Sequence, residues 1–304
     1  MNGAIGLDIG GTKIAGGVVD AYGNVLHIRS IPTGASRSGE AVLADAVELV
    51  QALKAEAVQN GREIAGIGVS ICELVDTQGN ITSSSAIQWK GLNVRETFEQ
   101  IAPTRIEADV RAHALAEARF GAGKGLQDFV FVSVGTGISS CLVQKAKPYT
   151  GARGNALVLS TMPITVYDDQ DRRIEFNLES FSSGAGLIER YRRKGFQVSR
   201  VEEIMADADF YNTAASHILA TGGDSLGSAI AWLVNVLDPE AVITGGGLGL
   251  ADGLYRERMI DSIRSGVFAK DSREVPVLKA ACGVNAGVIG AATGILDELA
   301  LTQR

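Results

Sequence analysis

Glycine-rich turns follow apolar runs at three places in the chain. They are LDIGGTK at 7–13, VGTGISS at 134–140 and TGGGLG at 244–249. Glycine lets the backbone come close to a phosphate and turn its N–H groups toward it. Any one of them could be an ordinary glycine turn, and the first lacks the spacing of a Walker A loop. Together they favour a nucleoside triphosphate site, to which we assign Gly10, Gly11, Thr12, Lys13, Gly135, Thr136, Gly137, Gly245, Gly246 and Gly247.

An acidic residue, Asp8, stands at the end of the strand that leads into the first turn. A carboxylate at this position can reach a Mg²⁺ ion, or the waters around it, between phosphate oxygens. Thr12 and Lys13 in the turn can supply a hydroxyl group and a cation. The sequence therefore predicts Asp8 as the metal residue of a site for a triphosphate and Mg²⁺.

A second acidic residue, Asp109, lies in IEADVRAHALAEARFG (106–121), where strand-like residues give way to helix formers. Two interpretations are open. As an N-cap, Asp109 would accept a hydrogen bond from a backbone N–H at the start of an alanine-rich helix. As a catalytic residue, it would be the base that takes a proton from a reacting group. The two roles are compatible, because cap hydrogen bonds hold a carboxylate still and favour its ionised form.

The composition indicates a globular protein with a sizeable core, since the 304 residues are 46% hydrophobic and 21% charged. The net charge of −7 argues against nucleic acid as the main partner, because binding phosphate backbones requires a basic face. The three cysteines show no C-x-x-C spacing, so neither a disulfide framework nor a cysteine metal site is predicted. No signal-peptide pattern and no apolar run near the ~18 residues of a membrane span are found. We expect a cytoplasmic protein with no membrane partner.

Two segments, 4–26 and 128–149, share one arrangement of a strand, a glycine turn and a second strand. This internal similarity predicts two related α/β halves. We expect an N-terminal domain over 1–108, completed by a C-terminal helix at 286–304, and a second domain over 109–285, with a cleft between them. Further helices are predicted at 38–62, 178–194, 201–219, 223–237 and 251–265. Trp232, on the apolar helix 223–237, is predicted to be a core residue.

The order LDIGGTK, EADVRAHALAEARFGAG, SVGTGISS and LDPEAVITGGG resembles the ROK group of bacterial sugar kinases and sugar-responsive repressors. The resemblance runs from about residue 4 to 299. It implies membership of the actin-like ATPase superfamily with hexokinase, and two actin-like (ribonuclease H-like) α/β domains closing on a sugar. It also implies use of ATP and Mg²⁺, assembly into dimers or tetramers, and Asp109 as the catalytic base.

The sugar side of the chain departs from the family pattern. Ala108 and Arg111 stand where the family has a pair of asparagines around the base, and Ala86 replaces another asparagine. The family's Gly-Glu-x-Gly-His segment aligns with LVLST (157–161), and its Pro-Gly-Pro loop with Cys72-Glu73-Leu74. Of the usual sugar contacts, Glu179 is clearly retained. The zinc loop has become RRIEFNLE (172–179), without cysteine, so we predict no structural zinc.

These replacements bear on the substrate, because a site loses discrimination with each hydrogen-bonding partner that it lacks. We assign Glu179, Glu73, Arg111 and Asn155 to the substrate site. A guanidinium clamps carboxylates or phosphates, so one hypothesis is a modified, smaller or acidic sugar or polyol that Arg111 recognises. The alternative is that Arg111 sits outward on the first turn of the helix and pairs with Glu107 or Glu117.

Two other functions compete with a small-molecule kinase. A sugar-sensing regulator would need a DNA-binding segment ahead of the first hairpin, which here begins at residue 4, and it does not suit an acidic chain. A catalytically silent nucleotide- or sugar-binding protein would explain the altered sugar pocket. The histidines His27, His113 and His217 are scattered and are predicted to be surface or core side chains rather than ligands.

Overall fold

The computed structural model describes residues 3–34, 37–209 and 213–302. The chain divides into two compact units. The first comprises Met1–Gly125, Val143–Ala156 and Ala281–Arg304, and the second comprises Leu126–Leu142 and Leu157–Ala280. The first unit includes the C-terminal helix, but it also includes residues 109–125 and 143–156, which the sequence-based division assigned to the second domain.

Helices and strands are mixed along the chain. The strands are β1 (Gly3–Ile9), β2 (Lys13–Val19), β3 (Val25–Pro32), β4 (Ile64–Ile71), β5 (Thr104–Ala108), β6 (Phe129–Val134), β7 (Ile138–Gln144), β8 (Lys147–Pro148), β9 (Pro163–Tyr167), β10 (Arg173–Asn177), β11 (Ala241–Gly245) and β12 (Val277–Lys279). The helices are α1 (Gly39–Gln59), α2 (Val94–Glu99), α3 (Asp109–Phe120), α4 (Leu178–Ser182), α5 (Gly184–Arg192), α6 (Val201–Asp209), α7 (Thr213–Leu237), α8 (Gly247–Leu250), α9 (Leu254–Gly266) and α10 (Ala286–Thr302).

The first unit is built on a five-stranded sheet with the strand order β3-β2-β1-β4-β5. The pairs β1–β2 and β2–β3 are antiparallel, whereas β1–β4 and β4–β5 are parallel. Apolar residues of α1, including Leu49 and Leu53, pack with Ile5 and Leu7 of β1. Val288 and Ala292 of α10 pack against residues of β1 and β2 in a second cluster. Helices therefore bury both faces of the sheet, as continuous apolar strands require.

Helix α10 lies directly against the sheet because glycines allow backbone contact. A Cβ at Gly68 of β4 would lie 1.8 Å from the carbonyl oxygen of Ala291. By length and hydropathy, the segment Gly283–Thr302 could cross a membrane, so the expectation that no segment would qualify is wrong. However, 56% of its most apolar stretch is buried inside the protein. Its small apolar residues thus serve as the core of the first unit.

Helix α3 joins the first unit because it packs against α10. A Cβ at Gly290 would lie 1.8 Å from the carbonyl oxygen of Ala112. Further along, Arg119 pairs with Asp297 at 2.6 Å. These contacts are the physical reason that residues 109–125 group with the first unit rather than with the second.

The second unit contains a sheet with the order β12-β11-β6-β7. The strand β11 pairs in parallel with both β12 and β6. Helices α7 and α9 approach closely, since a Cβ at Gly223 or Gly227 would lie 2.3 Å from a carbonyl oxygen of α9. The core contains Val132, Val242 and residues of α7. The strand–turn–strand arrangement of β6 and β7 matches that of β1 and β2, as the internal similarity predicts.

Helix α7 differs from the sequence expectation in two ways. It runs without a break from Thr213 to Leu237, although two helices were predicted to meet near Gly222. Residues 210–212 of the predicted helix 201–219 lie outside the described residues. The second difference concerns Trp232, which is 59% exposed, so the prediction of a core position is wrong.

Candidate functional site

Three strands of the first unit end at the same edge of the sheet. The register places Ile9 of β1 opposite Ile71 of β4, and Ile71 opposite Ala108 of β5. In α/β folds, ligands bind at the carboxyl ends of parallel strands. The residues at or just beyond these ends are therefore candidates for chemistry. They include Asp8, the glycine turn after β1, Cys72 and Asp109.

Asp8 is half-buried at this edge and accepts a hydrogen bond from the Ser70 hydroxyl at 2.8 Å. Gly287 of α10 leaves room for this carboxylate, because a Cβ at position 287 would lie 2.4 Å from the carboxylate carbon of Asp8. Carboxylate oxygens are suitable Mg²⁺ ligands, and Mg²⁺ commonly takes its other ligands from phosphates and water. Among the described residues, no group of three or more His, Cys, Asp or Glu side chains could hold a metal ion. The carboxylate of Asp8 is the kind of ligand that suits a metal arriving with a phosphate.

Asp109 is the first residue of α3 and is half-buried. The N-cap position is occupied by Ala108, and no side chain caps the helix there. The N-cap interpretation of Asp109 is therefore wrong: its Oδ1 accepts from the backbone N–H of the next residue, Val110, at 2.6 Å. Burial, together with smaller contributions from the carboxylates of Asp8 and Glu73, raises the pKa of Asp109 to about 6. The site thus holds a carboxylate that is more basic than an ordinary aspartate.

His113 interacts electrostatically with Asp109 and lowers its pKa. It lies four residues further along α3 and is half-buried. Residues four apart share a face of a helix, so the spacing of Asp109 and His113 was a usable signal. Sequence analysis set His113 aside with the other histidines, and the structure places it beside the candidate base.

The turn Gly10–Lys13 follows β1 at the same edge. The Gly10 N–H donates to the carbonyl of Lys13 at 3.0 Å. Thr33 holds the turn from the neighbouring strand end, donating from its hydroxyl to the Gly10 carbonyl at 2.6 Å. Thr12 and Lys13 are exposed. The turn is therefore fixed through its backbone, while the side chains of Thr12 and Lys13 face solvent.

Glu73 is buried just after β4, and protein groups already occupy its carboxylate. One oxygen accepts from the Ser83 hydroxyl and the Ser85 N–H, and the other from the N–H groups of Ala86 and Ile87. Two carboxylate oxygens offer about four acceptor sites, so Glu73 has little capacity left for a substrate. It fixes the 83–87 segment, which lies beside the first glycine turn: a Cβ at Gly11 would lie 3.6 Å from that of Ala86.

Cys72 precedes Glu73 and lies close to the same carboxylates. Burial raises the pKa of its thiol to about 12, with further contributions from Asp109 and Glu73. The thiol therefore stays protonated at neutral pH. It is a weak nucleophile that can fill space beside the base.

Arg111 is buried and satisfied by internal partners. Its Nε pairs with Glu107, its Nη1 donates to the carbonyl of Gly154 at 2.6 Å, and its Nη2 donates to the carbonyl of Val75 at 2.6 Å. The pairing with Glu107 was part of the alternative to substrate recognition, but the outward position of that alternative is wrong, because Arg111 is buried. Arg111 therefore joins the start of α3 to two loops of the first unit, and its guanidinium is not free to clamp an acidic substrate.

The two remaining substrate candidates, Asn155 and Glu179, belong to different units. Asn155, in the first unit, is exposed on the loop after β8. Glu179, in the second unit, is half-buried at the start of α4, where its Oε2 accepts from the Ile138 N–H at 2.8 Å. A Cβ at Gly137 would lie 2.5 Å from the same oxygen. The structure therefore brings Glu179 to the second glycine turn.

That second turn, Gly135–Gly137, joins β6 and β7. Its carbonyls accept hydrogen bonds from the start of α5, with Gly184 donating to Gly135 at 2.8 Å and Ala185 donating to Thr136 at 3.2 Å. A Cβ at Gly135 would meet no atom within 4 Å. The carbonyls of the turn thus bind the protein, while open space lies beside Gly135.

The third turn, Gly245–Gly247, lies between β11 and α8 in the same unit. Gly246 has φ +76°, and a Cβ there would lie 2.4 Å from the carbonyl oxygen of Val134. Both facts require glycine at this position. A Cβ at Gly247 would meet no atom within 4 Å. The second unit therefore brings two predicted nucleotide turns together, because Val134 directly precedes Gly135.

The segment aligned with the family's zinc loop, 172–179, contains β10, which pairs antiparallel with β9. Asn177 then caps α4 and accepts from the Ser180 N–H at 2.7 Å. Hydrogen bonds and strand pairing thus hold this region. The absence of a structural zinc stays a prediction.

Comparison with known proteins gives the family. A model of the ROK family matches residues 4–298. The chain belongs to the ROK family. The glucokinase of Streptomyces coelicolor (strain ATCC BAA-471 / A3(2) / M145) is 29% identical to it over 320 residues, which cover 95% of this chain and 96% of that protein.

Solved structures of this family share the fold. The ROK hexokinase from Thermus thermophilus is 26% identical, covers 98% of this chain and 99% of its own, and superposes with a TM-score of 0.82. The ROK glucokinase from Streptomyces griseus, solved with glucose and AMPPNP, is 26% identical. The match covers 95% of this chain and 98% of the glucokinase chain, with a TM-score of 0.75. The predicted α/β fold of ROK sugar kinases is thereby confirmed for this ROK protein.

Proposed function

We propose that this ROK protein is an ATP-dependent kinase that transfers the γ-phosphate to a hydroxyl of a sugar or sugar-derived small molecule. The observation that carries the proposal is the position of Asp109 after β5, at the sheet edge where β1 presents Asp8 and the Gly10–Lys13 turn. The names of two relatives support it: one is a glucokinase, and another is a glucokinase bound to glucose and AMPPNP.

Asp109 is the general base in this proposal. Phosphoryl transfer proceeds through a loose transition state, so the protein contributes mainly position and charge. One carboxylate must take the proton of the attacking hydroxyl as the new O–P bond forms and the bond from the γ-phosphorus to the leaving ADP breaks. A pKa of about 6 keeps Asp109 ionised at neutral pH and makes it a stronger proton acceptor than an ordinary aspartate.

The three glycine turns bind the nucleotide. Open space beside Gly135 and Gly247 lets phosphate oxygens or the nucleoside reach the backbone. The exposed Lys13 and Thr12 supply a cation and a hydroxyl at the first turn. Asp8 would hold Mg²⁺ in this scheme, and a bound ion would supply positive charge beside the phosphates.

The acceptor is neutral in this proposal, because Arg111 is bound to Glu107 and to two carbonyls and cannot serve as the clamp of an acidic substrate. The carboxylate of Asp109 also disfavours an anionic acceptor directly beside it. We therefore favour a neutral sugar or polyol, with Glu179 as the retained family contact. Glu73 acts indirectly, by holding the 83–87 segment.

A catalytically silent nucleotide- or sugar-binding protein is the alternative. It is favoured by Ala86, Ala108 and the LVLST segment, which stand where the family has sugar-contacting side chains. The two functions differ in one measurable way, since both bind nucleotide but only the kinase releases ADP when an acceptor is present.

The test is an ADP-release assay with ATP, Mg²⁺ and a panel of neutral sugars, polyols, aminosugars and sugar acids. We expect turnover above the ATPase background with at least one neutral acceptor, and a phosphorylated product by mass spectrometry. Nucleotide binding by calorimetry is measured in parallel. Binding without turnover on any acceptor would support the silent protein, and turnover on sugar acids alone would overturn the neutral-acceptor assignment.

A further inference from the structure

A cavity of about 460 Å³ lies in the first unit, between the segment 79–84 and the loop 89–96. Its volume is within the range of about 300–1,000 Å³ that small-molecule sites occupy. The described residues that line it include none of the glycine turns assigned to the nucleotide, and neither Asp8 nor Asp109. The cavity is therefore distinct from the site at the ends of β1, β4 and β5.

Tight turns fix both walls of this cavity. On one side, the Leu92 N–H donates to the Trp89 carbonyl at 3.0 Å, and Gly91 has φ +83°. Glycine suits the third position of such a turn, because φ is positive there. On the other side, the Gly79 N–H donates to the Asp76 carbonyl at 3.1 Å. Both walls are therefore held by their own backbone hydrogen bonds.

Trp89 lines the cavity and carries an unpaired hydrogen-bond donor. The residue is 3% exposed, and its indole Nε1–H has no acceptor among the described residues. A buried donor without a partner costs about 1–3 kcal/mol. In native proteins such a group normally binds a protein acceptor or an ordered water, so each exception requires an explanation. The indole of Trp89 favours a ligand that brings an oxygen acceptor into this cavity.

Two cations line the cavity without an ion pair to any described residue. Lys90 is exposed, and Arg95 donates from Nη2 to the Gln78 carbonyl at 2.6 Å. A Cβ at Gly79 would lie 1.9 Å from the same Nη2, so glycine makes room for the guanidinium in the wall. Among the described lining residues, Glu96 is the one acid, and it is exposed. The charges therefore favour a ligand with a negative group, which lysine and arginine bind through charge-assisted hydrogen bonds.

Uncharged polar side chains complete the lining. Ser84 contributes a hydroxyl and Asn93 contributes an amide. Asn93 stands at the N-cap of α2 but makes no side-chain cap hydrogen bond, so its amide is available to a ligand. Hydroxyl and amide groups both donate and accept hydrogen bonds, as the hydroxyls of a sugar do. The lining therefore suits a hydroxylated ligand as well as an anionic one.

We propose that this cavity is a second ligand site, which binds an acidic sugar: a hydroxylated ring that carries a phosphate or a carboxylate. The anionic group pairs with Lys90 and Arg95. An oxygen of the ring or of a hydroxyl accepts from the Trp89 indole, and Ser84 and Asn93 bind further hydroxyls. This ligand is not the acceptor of the proposed phosphoryl transfer, because the proposed base does not line the cavity.

The indole N–H signals in ¹H–¹⁵N NMR spectra of the full chain test the proposal. The chain has two tryptophans, so Trp232→Phe leaves one indole signal, that of Trp89. We expect glucose 6-phosphate or glucuronate to move this signal downfield until it saturates, because a hydrogen bond deshields the proton. Glucose and inorganic phosphate each lack one part of the proposed ligand and should bind about 10-fold or more weakly. No saturable shift with either acidic sugar, or equal affinity for glucose or inorganic phosphate, would overturn the proposal.

Substitutions in the same titration locate the ligand. Lys90→Ala should weaken binding about 10-fold or more, whereas Lys270→Ala, the same change at an exposed lysine of the second unit, should not. Asp109→Asn should leave the affinity unchanged, because Asp109 does not line the cavity. Tighter binding to Asp109→Asn would place the anion at the sheet edge and overturn the proposal, as would equal binding by Lys90→Ala and Lys270→Ala. The titrations contain no nucleotide, so their outcome does not depend on whether the chain phosphorylates an acceptor.

Discussion

Arg111 donates from Nη2 to the carbonyl of Val75 at 2.6 Å, and so ties the start of α3 to the loop that follows β4. The same guanidinium reaches the carbonyl of Gly154 and the carboxylate of Glu107. Asp109 is two residues before Arg111 in sequence, and Glu73 is two residues before Val75. Arg111 therefore holds the segment with the proposed base against the segment with the buried glutamate, and its role is positioning.

Replacing Arg111 by Met should lower the free energy of unfolding by about 3–5 kcal/mol, because Glu107 and two carbonyls lose their shared partner. Urea denaturation followed by circular dichroism measures the change. Arg119→Met is the matched control, since Arg119 forms an ion pair with Asp297 in which both side chains are about 40% exposed, and it should cost less than about 1 kcal/mol. Similar losses for the two variants would show that Arg111 is not a buried anchor.

Replacing Glu73 by Gln should disturb the 83–87 segment, because an amide NH₂ group faces N–H donors where a carboxylate oxygen accepted them. We expect a loss of about 1–3 kcal/mol in stability and a higher KM for the acceptor. Glu99→Gln, an exposed change on α2, serves as the control. An unchanged acceptor KM together with unchanged stability would argue against the positioning role of Glu73.

The rate should depend on pH through Asp109. The base must be ionised, and its pKa is raised to about 6, so kcat/KM should rise as pH increases through about 6 and level off above it. His113 lowers the pKa of Asp109, whereas Asp8 and Glu73 raise it. His113→Gln should therefore move the rising limb to higher pH. If the rising limb of kcat/KM against pH does not shift in this variant, His113 does not set the pKa of Asp109.

Asp109→Asn should stabilise the folded protein at neutral pH. The folded pKa of about 6 lies above the ordinary value of 3.8, so the folded state holds the proton more tightly than the unfolded state. The stability conferred by the protonated form is present below 3.8 and is lost as pH rises through about 6. We expect a gain of about 1–2 kcal/mol at pH ~7.5, allowing for partial exposure, which disappears near pH ~4. Denaturation at the two pH values measures it.

The glycine turns could be predicted from sequence because their signals are local. A strand followed by a glycine turn specifies both the element and its position, as at Gly10 and Gly135. Gly246 could be anticipated for the same reason, since a turn between a strand and a helix requires unusual backbone angles. The register of β1, β4 and β5 then places Asp8 and Asp109 at one edge.

The partners of Glu73 and Arg111 could not be predicted, because they depend on contacts between distant segments. Arg111 and Gly154 are 43 residues apart in sequence. A charged residue near an expected pocket looks the same in sequence whether it faces a ligand or binds carbonyls. The prediction for Trp232 was wrong for a different reason: α7 is apolar on nearly all sides, so its periodicity does not distinguish the buried face from the exposed one.

The most direct test of the central claim is steady-state phosphoryl transfer by Asp109→Asn, with the best acceptor from the panel. Asp261→Asn, an exposed change on α9, is the control. The account predicts a loss of kcat of about 100-fold or more, the contribution of a general base, while the nucleotide still binds as in the wild type. Turnover by Asp109→Asn equal to that of the control would contradict it.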